Sequence, residues 1–279
     1  MSLELTGRLL ELLAARRPFY LATLVAARGA AAFQVGQKLI LHASGEREGS
    51  LGSPSLDGAV GRAVAARLGT ESVVMLRFDP AGNPLPPRRG LRDTEREPAS
   101  VEVSVEPMLP PPRLIIVGAG HIAVPLAQLA KVLDFEVTVI DDRSRFASRE
   151  RFPDADAVIV DDFRRAIEAQ EITLWTYLVL VTRGHEHDEA TLQRVVGSPA
   201  PYIGMIGSRR RVLLVFQRLA EQGVPERFID RIYAPVGLDI GSRTPEEIAL
   251  AILAEIVNVR RSGKAGSVSL RMRARPKSL

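Results

Sequence analysis

Residues 114–142 read LIIVGAGHIAVPLAQLAKVLDFEVTVIDD, and this stretch decides the fold of the second half of the chain. The apolar run LIIV predicts a buried strand, and a Gly-Ala-Gly turn separates it from a segment with helical periodicity. A second apolar strand follows and ends at Asp141. In such a unit, glycines let the backbone approach a pyrophosphate, which the N–H groups of the helix start bind. The stretch therefore predicts a dinucleotide-binding unit; the alternative is the same fold without a ligand.

Five residues of this unit are candidate ligand contacts. Gly118 and Gly120 form the turn, and Ala123 stands where a small residue lets helix and strand pack closely. His121 can donate to a phosphate, although a solvent-exposed histidine without a role is the alternative. Asp141 lies about 20 residues after Gly120, the spacing of a carboxylate that binds a ribose 2′-hydroxyl. That carboxylate favours an unphosphorylated ribose, as in NAD.

Apolar runs alternate with helical patterns through residues 113–259. The expected strands are 113–117, 136–140, 157–160, 177–182 and 201–206, and the expected helices include 121–133, 163–170, 187–196, 208–222 and 244–259. This alternation predicts an α/β fold, a Rossmann-like doubly wound parallel sheet with strand order 3-2-1-4-5.

The remaining chain divides into three parts by composition. Residues 1–79 predict a small α+β domain, residues 80–112 a proline-rich linker with one strand, and residues 260–279 a basic flexible tail. The Rossmann-like domain spans residues 113–259.

A second polar cluster follows the expected strand 177–182. It comprises Thr182, Arg183, His185, His187 and Asp188. Ligands of open α/β sheets bind at the carboxyl ends of strands, so this cluster is a candidate for an anionic ligand, ranked above a metal. The alternative is a helix cap at Asp188 beside solvated histidines.

One further strand end offers Ser208 as a helix cap and Arg209 beside the positive helix start, a combination that suits phosphate. A solvated basic helix start is the alternative. With the expected strand order, we expect His121 and His185 or His187 to face one crevice within ~10 Å, the scale of a ligand cleft. No catalytic residue and no metal ligand are assigned.

Composition excludes several classes of protein. The 279 residues contain no cysteine, which excludes disulfides and thiolate ligands, and the formal charge is only +4. No apolar run approaches the roughly 20 residues of a membrane span, and the first residues lack the pattern of an export signal. We therefore expect a cytoplasmic protein that binds no nucleic acid.

Five blocks in order carry a family resemblance: LIIVGAGHIA, VTVIDDR, VLVTRGHEHDEATL, YIGMIGSRRR and APVGLDIGSRTPEEIALAILAEI. They resemble the XdhC/CoxI family, the accessory proteins of molybdenum hydroxylases such as xanthine and carbon monoxide dehydrogenase. The resemblance implies that the chain binds molybdenum cofactor, or a related nucleotide, and assists its maturation or insertion. It implies a cofactor-insertion chaperone rather than an enzyme.

The resemblance also implies partners. They are a molybdenum hydroxylase apoenzyme and, as further candidates, a sulfurtransferase and a second copy of the chain. Two alternatives stay open: an NAD-dependent oxidoreductase with an NAD-like dinucleotide, and a non-catalytic interaction protein with a vestigial nucleotide fold.

The N-terminal block departs from the family pattern. Where the family has a glycine-glycine-cysteine motif followed by an acid, this chain has Ser53, Pro54 and Ser55, with Asp57 at the acid. A serine hydroxyl ionises far less readily than a thiol and is a poor ligand for soft metals. We therefore expect residues 1–79 to act as a scaffold or docking unit without thiol chemistry.

Overall fold

The computed structural model describes residues 3–67, 72–87, 99–262 and 269–270. The chain forms two compact units, Met1–Pro110 and Pro111–Leu279. Each unit has its own sheet and its own apolar clusters. No helix among the described residues is long and apolar enough to cross a membrane.

The first unit is built on a five-stranded antiparallel sheet with the order β3-β2-β1-β5-β4. Its strands are β1 (Phe19–Arg28), β2 (Lys38–His42), β3 (Arg47–Gly49), β4 (Val74–Phe78) and β5 (Ser100–Met108). The longest strand, β1, pairs with both β2 and β5. Alternate residues of β1 point to opposite faces, so both faces of the sheet carry apolar side chains.

Two helices cover these faces. Helix α1 (Leu3–Ala14) contributes Leu12 to an apolar cluster with Phe19 and Ile40. Helix α2 (Pro54–Ala65) contributes Leu56, Val60 and Val64 to a second apolar cluster of the same sheet. Ser53 begins α2, because its hydroxyl accepts the Leu56 N–H at 3.2 Å and Pro54 suits the first turn.

The proline-rich segment 80–112 contributes its one expected strand, β5, to the first sheet. Val101, Val103 and Val105 of β5 are buried in the core of the first unit, which explains why the strand belongs to that unit. Residues 88–98 lie outside the described part of the chain.

The second unit contains a six-stranded parallel sheet with the order β11-β10-β9-β6-β7-β8. Its strands are β6 (Arg113–Val117), β7 (Glu136–Asp141), β8 (Ala157–Val160), β9 (Thr176–Leu180), β10 (Tyr202–Met205) and β11 (Ile232–Tyr233). Counted from β6, the first five strands follow the predicted order 3-2-1-4-5. The α/β class and the doubly wound sheet are confirmed.

Helices cover both faces of this sheet. They are α3 (Ala123–Val132), α4 (Phe163–Glu168), α5 (His185–Arg194), α6 (Arg209–Glu221), α7 (Glu226–Ile229) and α8 (Pro245–Ser262). Helices α3 and α8 share one apolar cluster, and α4 to α7 share the cluster on the opposite face. The order reverses between β6 and β9, and the ends of strands at such a reversal are where ligands of open α/β sheets bind.

The basic tail begins later than the composition predicts. Helix α8 continues to Ser262, and Ser269 forms a bridge with Leu238. The expected boundary at residue 260 thus falls inside a helix, and the flexibility of the tail stays a prediction. Residues 263–268 and 271–279 lie outside the described part of the chain.

Candidate functional site

The glycine turn joins β6 to α3, and its two glycines have different roles. Gly118 has a φ of 103°, and a Cβ built on it would lie 2.7 Å from the carbonyl oxygen of Val181. Only glycine fits there, because the backbone has left-handed φ and touches the chain beyond β9. A Cβ on Gly120 would meet no atom within 4 Å. The fold does not require glycine at position 120, so the open space beside it is available to a ligand.

The start of α3 faces the same space. Ala123 is the first residue of the helix and is fully buried, as the close packing of helix and sheet requires. His121 is exposed in the turn before it, and no side chain caps the helix start. An uncapped helix start presents backbone N–H groups and a partial positive charge, which suit an anion.

Asp141 does not present its carboxylate to a ligand, and this corrects the sequence analysis. The residue is completely buried, and one carboxylate oxygen accepts the Ala119 N–H at 2.8 Å. The Arg143 guanidinium donates to both oxygens, at 2.8 and 2.9 Å. Burial alone would raise the pKa of Asp141, but the Arg143 and Ala119 hydrogen bonds outweigh it and lower the pKa to about 2. Asp141 is thus an ionised anchor that fixes the glycine turn to the end of β7.

The loop after β7 holds the glycine turn from a second side. Arg151 donates to the carbonyl oxygen of Ala119 at 2.6 Å and to that of Phe146 at 2.8 Å. The Arg143 guanidinium lies 3.8 Å from the centre of the Phe146 ring. These contacts make the loop 142–156 and the glycine turn one hydrogen-bonded structure.

An ion pair joins the loops on either side of the glycine turn. Arg183, beyond β9, donates to both oxygens of Asp142, beyond β7, at 2.9 and 2.8 Å. Because β6 lies between β7 and β9, the pair links the two loops that flank the end of β6. Both side chains are partly exposed, and an anion bound at the turn would compete with Asp142 for Arg183.

Asp188 belongs to a buried network rather than to a ligand-facing cluster. It is fully buried, accepts the Thr182 hydroxyl at 2.6 Å and is paired with Arg211 of α6. Burial raises the pKa of Asp188 to about 6, against the opposing effect of Thr182 and Arg211. The residue does not cap α5, whose N-cap is Gly184. Thr182, Asp188 and Arg211 therefore lock the loop after β9 to the start of α6.

The histidines are not all on one side of the sheet. His187 packs its ring 4.9 Å from that of Phe163, between α4 and α5, whereas His121 precedes α3 on the opposite face. The expectation that His187 shares a crevice with His121 is therefore wrong, because the Phe163 side chain fixes it on the other face. His185 is the first residue of α5 and half-buried, and its shared site with His121 stays a prediction. Within the described residues, no group of three or more histidine, aspartate or glutamate side chains has a metal-binding arrangement.

Ser208 and Arg209 lie at the next strand end. Ser208 caps α6 by accepting the Arg211 N–H at 3.3 Å, and Arg209 is exposed beside it. Whether either residue contacts a ligand stays a prediction.

Sequence analysis missed three polar residues of this edge: Asp142, Arg151 and Arg211. The DDR motif at 141–143 contained part of the signal, because an arginine two residues from Asp141 is close enough to pair with it. Nothing in the sequence shows that Arg151 reaches the turn or that Arg211 reaches Asp188.

Two family models match the chain in succession. Residues 12–79 match the XdhC and CoxI family, and residues 114–256 match the XdhC Rossmann domain. The chain belongs to the XdhC/CoxI family. The resemblance predicted from the five sequence blocks is confirmed.

Individual relatives agree with the family. The chain is 35% identical over 152 residues to a probable xanthine dehydrogenase subunit of Bacillus subtilis, covering 54% of this chain and 44% of that protein. It is 28% identical over 198 residues to the molybdenum cofactor insertion chaperone PaoD of Escherichia coli, covering 71% and 55%. The chain spans between 30% and 55% of the length of the curated relatives it matches.

A crystal structure from Bacillus halodurans, described as a xanthine dehydrogenase, has the same fold. It aligns with 93% of this chain and 97% of its own, with a TM-score of 0.51 and 21% identity. At this identity the likeness supports the XdhC fold alone.

Proposed function

We propose that this protein binds a phosphate-bearing pterin or nucleotide cofactor of the molybdopterin type at its glycine turn. It then acts as an accessory protein that assists insertion of the cofactor into a molybdenum hydroxylase. Family membership and the cofactor-insertion role of the PaoD relative support the accessory role. The observation that carries the site is Gly120, where the fold leaves an open space beside an uncapped helix start.

The side chains around the turn fit the anionic part of such a cofactor. Arg183 reaches the crevice from the β9 side, and the N–H groups of the α3 start face the same space. The chain has no cysteine, so it offers no thiolate to molybdenum. We infer that this protein holds the cofactor by its phosphate and leaves the metal-bearing end to other groups.

The oxidoreductase alternative loses its main support. It depended on Asp141 as a ribose-binding carboxylate, and that carboxylate is buried and saturated by Arg143 and Ala119. A binding role needs only the turn, the helix start and the arginines, all of which the described residues contain.

The test replaces Gly120 with valine. A Cβ at this position meets nothing, so Gly120→Val should fold like the parent, and its side chain should fill the space that the ligand uses. We expect at least a tenfold loss of affinity for molybdopterin, measured by retention of the fluorescent pterin or by calorimetry. Transfer of cofactor to an apo-hydroxylase in vitro should fall in parallel.

Gly118→Ala is the matched control, because its Cβ would collide with the Val181 carbonyl and strain the backbone. This variant should lose thermal stability, which distinguishes damage to the fold from damage to the site. Unchanged pterin binding by a folded Gly120→Val variant would show that the ligand binds elsewhere.

A further inference from the structure

The end of the second strand of a dinucleotide unit is the position that discriminates between ribose substituents. A carboxylate exposed there binds a free ribose hydroxyl, whereas an arginine there accommodates a ribose phosphate. In this chain the strand is β7, and its carboxylate, Asp141, is buried and consumed by internal hydrogen bonds. Any contact between a ligand and the loop after β7 must therefore be made by residues that follow Asp141.

Those residues place three guanidinium groups around one aromatic ring. The guanidinium carbons of Arg143, Arg145 and Arg151 lie 3.8, 4.9 and 5.2 Å from the centre of the Phe146 ring. Arg151 also bonds the carbonyl oxygen of Ala119 in the glycine turn, so this cluster adjoins the turn. The Phe146 ring stabilises the neighbouring cations and fixes their position.

Only one of the three arginines lacks a partner other than the ring. Arg143 is paired with Asp141, and Arg151 donates to backbone carbonyls. Arg145 is exposed and, within the described ranges, makes no ion pair with a carboxylate and no hydrogen bond. The nearby Asp142 is already engaged by Arg183. The loop therefore presents an unneutralised guanidinium beside the turn.

We propose that the Arg143–Arg145–Phe146 segment is a subsite for a phosphate monoester, with Arg145 as the group that recognises it. The subsite rests on the proposed function, since it belongs to the same crevice. The group that the subsite recognises is a dianionic phosphate, either on a ribose or at the end of a pterin side chain. The chain thus prefers a phosphorylated ligand to its dephosphorylated form, which reverses the preference for NAD deduced from Asp141.

The experiment measures affinity for pairs of probes that differ by one phosphate monoester. NADP and NAD differ by the ribose 2′-phosphate, and a pterin phosphate and its dephosphorylated form differ by a terminal phosphate. We expect at least a tenfold preference for the phosphorylated member of one pair, which identifies the source of the phosphate. The preference should shrink below about pH 6, where a phosphate monoester loses its second charge.

Two variants attribute the preference to a residue. Arg145→Ala should reduce the preference several-fold while leaving the affinity for the dephosphorylated member unchanged. Arg227→Ala is the control: Arg227 is equally exposed but lies before β11, at the opposite edge of the parallel sheet, so it should change neither affinity.

The outcomes separate the subsite from the proposed function. An undiminished preference in the Arg145→Ala variant would overturn the subsite and assign the phosphate to the glycine turn. Equal affinity for both members of each pair would overturn the subsite together with the proposal that the turn holds the cofactor by its phosphate. Failure of every probe to bind would overturn both proposals.

Discussion

Asp141 and Asp142 are neighbours in the chain but have different environments. Asp141 ends β7 with its side chain turned inward, where Arg143 and the Ala119 N–H saturate it. Asp142 points outward and meets Arg183. Because the two side chains point in opposite directions, their roles differ. Asp141 stabilises the fold, whereas Asp142 lies where a ligand can compete with it for Arg183.

The buried Asp141 should make stability dependent on acid. The pKa of Asp141 is about 2 in the folded protein, below its ordinary value of 3.8, so the unfolded chain binds the proton more tightly. The stabilisation is therefore complete above about pH 4 and is lost as the pH falls towards 2, by about 2 kcal/mol. Urea unfolding at pH 7 and pH 2.5 measures this loss. The difference in unfolding free energy between the parent and Asp141→Asn should be about 2 kcal/mol smaller at the lower pH. A stability gap that stays constant across this range would refute the assignment.

Two serines in the N-terminal motif should behave differently when removed. Ser53 caps α2, whereas Ser55 is exposed and its hydroxyl lies 3.2 Å from that of Ser53. Ser53→Ala should cost about 1 kcal/mol of unfolding free energy. Ser55→Ala should change neither stability nor pterin binding nor activation of the hydroxylase, since we assign it no chemistry.

Thermal unfolding and an activation assay with an apo-hydroxylase measure both serine variants. A folded Ser55→Ala protein that no longer activates the hydroxylase would contradict the scaffold role of residues 1–79 and give the hydroxyl a function.

At the level of elements, sequence predicts best where an apolar run is long. Strands β6 to β10 follow from such runs between glycine turns and helical segments, because parallel strands are buried on both faces. The three-residue β3 and the two-residue β11 were missed, since so short a segment contains no period.

The candidate site was less predictable than the fold. Spacing identified the glycine turn, whose geometry depends on local backbone. It assigned Asp141 and Asp188 to a ligand, although Asp141 is buried against Arg143, two residues away, and Asp188 against Arg211 of α6. The reach of a long guanidinium side chain depends on tertiary structure, and one sequence does not encode it as a pattern.

The ion pair between the β7 and β9 loops should restrain anion binding. Ligand phosphate and the Asp142 carboxylate compete for the same Arg183 donors. Asp142→Asn should therefore raise the affinity for a phosphate-bearing ligand several-fold, whereas Arg183→Ala should lower it about tenfold, a loss of roughly 1.4 kcal/mol.

Calorimetric titration at one fixed salt concentration measures both changes, since charge interactions are salt-dependent. If Asp142→Asn and Arg183→Ala weaken binding equally, both residues of the ion pair contribute to the binding surface. Asp142 then does not compete with the ligand for Arg183.

At the scale of the whole molecule, each unit has its own apolar clusters among the described residues. The two clusters of the second unit draw all their members from residues 114–259, and those of the first unit draw theirs from residues 5–109. Every residue assigned to the glycine-turn site also lies in the second unit. The family matches divide the chain in the same way.

The second unit alone should therefore fold and bind. A protein of residues 111–279 keeps both faces of its sheet covered, by α3 and α8 on one side and α4 to α7 on the other, so its unfolding should be cooperative. Its affinity for the pterin or nucleotide should lie within about threefold of the full chain's, because every residue assigned to the site is present. A difference of that size is well under the roughly 1.4 kcal/mol of a tenfold change. Gly120→Val should abolish binding equally in the fragment and in the full chain. A fragment that unfolds cooperatively but has lost the ligand would show that residues 1–110 supply part of the site, and the search for the missing contacts would then begin in that unit.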